Sequence, residues 1–320
     1  MKLMVCANLG VGTLPAFDLP AADVMRWQED KVDYLGRILA DAKGHGAQAC
    51  LIAGGLFAKG FVAQSLYEAA MRAVSSSGLR VLYVPLFDEA ADLEARCGHV
   101  DGFEVVAEKD ILDKSGIALR DIDELTDFAD VADACETPTF VRGASGLALA
   151  CRGVVYRLGP LTCDAFGADL QCGYALVDVD AAERTCSGFE WVDGSAHRLV
   201  TVKVALDEPK SADEVAIAVG NAVKDMDRGS CLRIELRGGI PLGTYVDTDD
   251  LARRLAARFR YVEIADYCDL GLDVEGLASD VSLLAEFVRR VSDDDSLSPT
   301  EKTRVLRCGW NALNGKELAE

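Results

Sequence analysis

Three patterns in the sequence predict an α/β protein. Its first third alternates short apolar runs with stretches of helical periodicity, as in a parallel sheet with helices on its faces. From about residue 100 the pattern changes to short strands joined by turns, which predicts a second, largely antiparallel sheet packed on the first. Near His197 the alternation resets into a smaller βαβαβ segment.

"KLMVCAN" reads as the first strand, and residues 24–44 place Val32, Leu35, Leu39 and Ala42 at helical spacing. "QACLIAGG" is a second buried strand, "SLYEAAMRAVSSSG" a helix, and "LRVLYVPL" a third strand. Beyond these, "GFEVVAE", "GLALACRGVVYRL", "CGYALVDVD" and "CSGFEWVDG" read as the strands of the second sheet, the last two as a hairpin. The acidic stretch 110–138 gives room for a helix and little more.

In "RLVTVKVAL", Val200, Val202, Val204 and Leu206 alternate with Thr201 and Lys203. In "CLRIELRG", Leu232, Ile234 and Leu236 alternate with Arg233, Glu235 and Arg237. That period of two predicts a small α+β domain with one solvated sheet face. Ser211 and Glu214 form a capping box before "VAIAVGNAV", "DTDDLARRLAARF" is a helix, and "YVEIADY" a strand. Two helices close the chain. "SLLAEFVRRV" carries Leu284, Phe287, Val288 and Val291 on one face; the other opens at Ser298, Pro299 and Glu301 and ends at Asn314-Gly315. The expected domains are 1–196, 197–270 and 271–320.

Half of the 320 residues are apolar, enough for a substantial core. The formal net charge of −20 opposes binding to bare nucleic acid. Eleven cysteines occur singly, mostly within apolar segments and without a C-x-x-C pair, which predicts reduced core residues. No apolar run approaches the roughly 18 to 20 residues that span a bilayer, and the apolar run after Lys2 is too short for a signal peptide. These features predict a cytoplasmic protein.

The strand end "VCANLGVGT", residues 5–13, has the small, glycine-rich form of a loop that serves an active site, yet it holds no acid, base or nucleophile. Half a dinucleotide fingerprint is one reading, but its third glycine is missing. Gly54-Gly55 read alone is a close strand-to-helix contact. Taken together, "CANLGVG" (6–12), "LIAGGLFAKG" (51–60) and "VLYVPLFDE" (81–89) resemble the strand ends of the calcineurin-like metallophosphoesterases, specifically the SbcD-type DNA repair exonuclease subunits. "VVYRLGPLTCDAFGADLQCGYALVDVD" and the segments after it are also similar to that family, so the resemblance covers nearly the whole chain except about 90–150. It implies a two-sheet sandwich flanked by helices, a small capping domain and C-terminal helices.

The family norm is a pair of manganese or magnesium ions. Its ligand positions read here Asn8, Gly10, Gly55, Leu86 and Phe87, and the later Gly-His-x-His motif is missing. Two divalent cations about 4 Å apart repel by roughly 17 kcal/mol at an effective dielectric of 20, so such a centre needs several anionic ligands, one of them bridging. Glycine cannot bridge, and leucine and phenylalanine offer no donor. Asp88 reads as a turn cap. The resemblance with these departures implies a catalytically inactive SbcD-like subunit with no cofactor. As a structural partner of an SbcC-type coiled-coil ATPase it could form a homodimer and meet DNA weakly or through the partner, with Phe287, Val288, Leu306 and Trp310 on the partner surface. The alternative is an active metal-dependent phosphoesterase or nuclease drawing replacement ligands from the acidic middle segment. His45 is expected in a helix-ending loop, and His99 and His197 at the surface or a strand edge.

Overall fold

β1 (Lys2–Cys6) is apolar on both faces apart from its first residue, and such a strand belongs in the middle of a covered sheet. It pairs in parallel with β2 (Ala49–Ile52), Leu3 opposite Ala49 and Cys6 opposite Ile52. β3 (Arg80–Tyr83) pairs in parallel with β2. A computed structural model describes residues 1–86, 93, 95–122, 137–143, 151–152, 155–167, 171–180, 182–207, 209, 211–241, 246–271 and 281–313. The chain divides into two units, Met1–Arg198 and Leu199–Glu320.

In the first unit, three segments expected in a second sheet instead widen the first. β4 (Phe103–Val105) adds in parallel to β3. On the other side β9 (Gly173–Asp180) runs antiparallel to β1 and β10 (Thr185–Asp193) antiparallel to β9, giving the order β10-β9-β1-β2-β3-β4. The predicted hairpin forms, but within this sheet. The physical reason lies in β9, whose Tyr174, Ala175, Leu176 and Val177 are all buried: a strand apolar on both faces needs cover on both. The second sheet has the order β5 (Ala118–Ile122), β6 (Thr139–Gly143), β8 (Val155–Arg157), β7 (Cys151–Arg152). Only the β7–β8 pair is antiparallel, which corrects the expectation of a largely antiparallel sheet.

Two cores hold this unit. Met4, Cys6, Cys50, Ile52 and Tyr83 face α1 (Ala21–Gly44) and α2 (Gln64–Ser77). Leu3, Val5, Leu51, Leu82 and Val177 face Leu119, Phe140 and Tyr156 of the second sheet and Ile111 of α3 (Glu108–Ser115). The order of layers is therefore helices, first sheet, second sheet. α3 and β5 occupy part of the acidic stretch, and residues 123–136 lie outside the described set.

His197 corrects another expectation. It is 3% exposed, its ring stacks on Trp27 at 3.4 Å between centroids, and its Nε2–H donates to the Trp27 carbonyl at 3.0 Å. His45 does end α1, with Nδ1 3.0 Å from the Asp41 carbonyl oxygen, and His99 is at the surface. The cysteines are more varied than expected. Cys6, Cys50, Cys231 and Cys268 are buried, but Cys97, Cys163, Cys172 and Cys186 are only half-buried and Cys308 is exposed. Burial pushes the Cys172 thiol up to about 12, far from a reactive thiolate.

In the second unit β11 (Leu199–Asp207), β12 (Cys231–Pro241) and β13 (Tyr261–Asp266) are parallel, with the short β14 (Asp269–Gly271) parallel to β12. α4 (Ala212–Val223) and α5 (Thr248–Ala256) connect these strands, so the expected α+β arrangement is locally α/β. The alternation seen in the sequence sorts the two faces: Val202, Val204, Leu232, Ile234 and Leu236 pack with Val215, Val219 and Leu251. The opposite face carries ion pairs, Arg233 with Glu263 and Arg237 with Glu235. The Ser211 hydroxyl accepts from the Glu214 amide at 3.3 Å, as the capping box predicts. Ser211→Ala should cost this unit about 1 kcal/mol, read as a lower urea midpoint with unchanged m-value.

Candidate functional site

Backbone pairing between β1 and β2 continues past both strands into their loops. The Asn8 amide donates to the Gly54 carbonyl at 3.0 Å, Gly10 to Gly55 at 2.8 Å, Val11 to Leu56 at 2.9 Å, and Ala58 back to Val11 at 2.8 Å. These bonds set the two loops side by side at the strand tips. They form walls of a cleft of about 380 Å³ lined by Asn8, Leu9, Gly10, Thr13, Gly55, Phe57, Ala58, Lys59, Leu86, Thr162 and Asp164. Four of the five positions singled out in the sequence, Asn8, Gly10, Gly55 and Leu86, thus meet in one place. Phe87, like Asp88, lies outside the described residues.

The residues at these positions fit one another. Gly55 has φ +63°, and a Cβ there would lie 2.3 Å from Asn8 Oδ1 and 3.0 Å from Asn8 Cα. Gly54 has φ +84°, and a Cβ there would lie 2.5 Å from Leu86 Cγ. Asn8 is itself left-handed, at φ 54°, a conformation asparagine tolerates better than most residues. The Asn8 side chain therefore occupies the space into which a residue at 55 would project, and the Leu86 side chain the corresponding space at 54.

Behind this wall lies a group that the sequence pattern alone does not single out. Lys31, on α1, is fully buried, and its ammonium donates to Asp164 Oδ2 at 2.7 Å, to the Gly10 carbonyl at 3.1 Å and to the Thr13 hydroxyl. Thr13 Oγ1 lies 2.7 Å from the Gly10 carbonyl oxygen and 2.8 Å from Asp164 Oδ2, and can give its single hydrogen to either. Thr162 Oγ1 donates to the Leu9 carbonyl at 2.9 Å, tying the segment before Asp164 to the same loop. Burial lowers the Lys31 pKa, and the neighbouring Asp164 carboxylate works against that shift. One signal was present in the sequence: Lys31 sits one helical turn from both Trp27 and Leu35, inside the apolar stripe of α1.

This donor set does not fit the two-metal centre that the resemblance implies. Among the described residues Asp164 is the only carboxylate lining the cleft, and an ammonium 2.7 Å away already neutralises it. Asn8 offers one neutral oxygen, and Gly10, Gly55 and Leu86 offer no side-chain donor. Among the described residues no group of three or more His, Cys, Asp or Glu side chains could hold a metal ion.

The residues expected at a partner surface lie on α6 (Leu283–Ser292) and α7 (Pro299–Leu313). Val288 and Leu306 are buried together with Val291. Phe287 is half-buried with its ring against Gly309, where a Cβ would lie 2.2 Å from Phe287 Cζ. Trp310 is half-buried, and Val281 and Leu283, just before and at the start of α6, are strongly exposed. Ser298 and Glu301 cap α7 reciprocally. Among the described residues no helix is long and apolar enough to cross a membrane.

No family model matches the sequence, and no curated protein does either. Among solved structures, the crystal structure of TT1561 of Thermus thermophilus is similar over 60% of this chain and 98% of that one, with 15% sequence identity and a TM-score of 0.32. What stands without it is the chain's own architecture, an α/β protein with two mixed sheets and one parallel sheet among flanking helices, and a cleft at the tips of its first strands.

Proposed function

We propose that this chain is a catalytically inactive SbcD-like subunit: a phosphoesterase-type scaffold that has lost its metal centre and serves as a structural partner of an SbcC-type coiled-coil ATPase in DNA repair. The observation that carries this reading is the contact between Asn8 and Gly55. A bridging carboxylate at position 55 would need the space that the Asn8 side chain fills. The paired state of Asp164 supports it further, because a carboxylate already bound to an ammonium is a poor ligand for a second cation.

The partner surface in this reading is the α6–α7 helix pair. Val288 and Leu306 hold the two helices together, while Phe287, Trp310 and the exposed Leu283 present apolar area at its margin. A net charge of −20 makes contact with DNA weak unless the partner supplies the basic surface.

The test combines metal analysis of the purified protein with manganese-dependent nuclease and phosphodiesterase assays. The expected result is substoichiometric metal and no turnover above a buffer blank. Stoichiometric metal together with turnover overturns the proposal. For the partner surface, Leu283→Asp is expected to weaken binding to a purified coiled-coil ATPase at least tenfold by calorimetry while leaving the thermal unfolding of the chain in place. Unchanged affinity removes α6 from the interface.

A further inference from the structure

We propose that the oxygens around the Lys31 ammonium form a cation cage specific for a primary ammonium, which the chain fills from within, so that its first loop is held without any external ion. Three oxygens of different kinds converge on Nζ: the Gly10 carbonyl, the Thr13 hydroxyl and Asp164 Oδ2. An ammonium has three N–H groups and no acceptor, and the cage supplies one acceptor for each. Asp164 Oδ1 is buried without a hydrogen-bond partner, so the carboxylate's strong contact in this cage is the one through Oδ2. A Cβ built on Gly10 would lie 3.0 Å from Thr13 Oγ1 and 3.7 Å from Nζ, so a side chain at position 10 would begin against the wall of the cage. The cage joins three separate parts of the chain: the loop after β1, the middle of α1 and the segment after β8. It follows from these contacts alone and does not depend on the proposed function.

Emptying the cage should turn it into a binding site. Lys31→Ala keeps Cβ and removes three carbons and the nitrogen, the heavy atoms of n-propylammonium. Alanine also favours the helix, so α1 loses no propensity. The emptied channel should then accept n-propylammonium from solution, with its nitrogen in the oxygen cage and its propyl chain along the path of the lost side chain.

The experiment is thermal unfolding of the full chain and of Lys31→Ala, with increasing n-propylammonium chloride and with tetramethylammonium chloride at equal ionic strength. Tetramethylammonium carries the same charge but no N–H donor. The expected result is a saturable recovery of at least half of the lost transition temperature with n-propylammonium and none with tetramethylammonium. Manganese chloride is expected to give no recovery, whereas a saturable rise with manganese would show a metal cage and overturn the ammonium assignment. Equal responses to the two organic cations also overturn it. Lys31→Met, which fills the channel, should respond to neither; a rise with n-propylammonium there places its binding elsewhere and overturns the assignment. If Lys31→Ala is recovered only unfolded, refolding yield from urea is compared under the same additives, with the same expected and overturning outcomes. None of these measurements reads nuclease activity, so failure here is distinguishable from failure of the proposed function.

Discussion

Lys31→Met is expected to lower the unfolding temperature of the Met1–Arg198 unit by roughly 10 °C, corresponding to about 3–5 kcal/mol. Methionine matches the length and apolar stem of lysine, so little packing changes. What changes is charge: Asp164 Oδ2 loses its ammonium partner while its other oxygen already lacks one. Removing one member of a buried pair leaves an uncompensated charge, whereas removing both can be nearly neutral. The double variant Lys31→Met with Asp164→Leu should therefore recover most of the loss. The two sites touch, so their effects should be strongly non-additive, and a double-mutant cycle by thermal or urea unfolding measures that coupling. Additive losses would mean that the 2.7 Å contact contributes little to stability.

Gly55→Asp is expected to disable the fold rather than create a metal site. Two costs combine. A Cβ residue at φ +63° carries a left-handed backbone penalty of roughly 1–2 kcal/mol, somewhat less for aspartate. The Cβ would also stand 2.3 Å from Asn8 Oδ1, inside any allowed contact, so Asn8 must leave its place. Asn8→Ala in the same chain removes the Oδ1 collision but leaves the Asn8 Cα at 3.0 Å, so relief should be partial. Differential scanning calorimetry with and without manganese checks both points. The single variant should lose several kcal/mol, of the order seen for overpacked interiors, and neither variant should gain a manganese-dependent rise in transition temperature. A rise of several degrees with manganese would show that one carboxylate is enough to make a metal site there.

These outcomes turn on features that were unequally visible in the sequence. The positions Asn8, Gly10, Gly55 and Leu86 were legible because each falls at the end of an apolar run, and strand ends in a parallel sheet converge on one edge. The two faces of β11 and β12 were legible because one is solvated, leaving a period of two in the sequence. β9 was assigned to the wrong sheet for the opposite reason. With both faces covered it reads as a continuous apolar run, and such a run carries no information about which strand it pairs with. His197, expected at the surface or a strand edge, is buried, and nothing in its neighbourhood announces the Trp27 ring that covers it, 170 positions away.

By itself the sequence determined most of the strands and helices, though not β5 or β6, and where several of the helices are capped. Those properties follow from local chemistry: side-chain periodicity and capping hydroxyls. Only the tertiary structure decided that Asn8 fills the space beside Gly55, that Leu86 lies over Gly54, and that Lys31 answers Asp164 from 133 residues away. Close packing and the pairing of buried charge are properties of groups brought together in space, and the order of residues along the chain does not contain those distances.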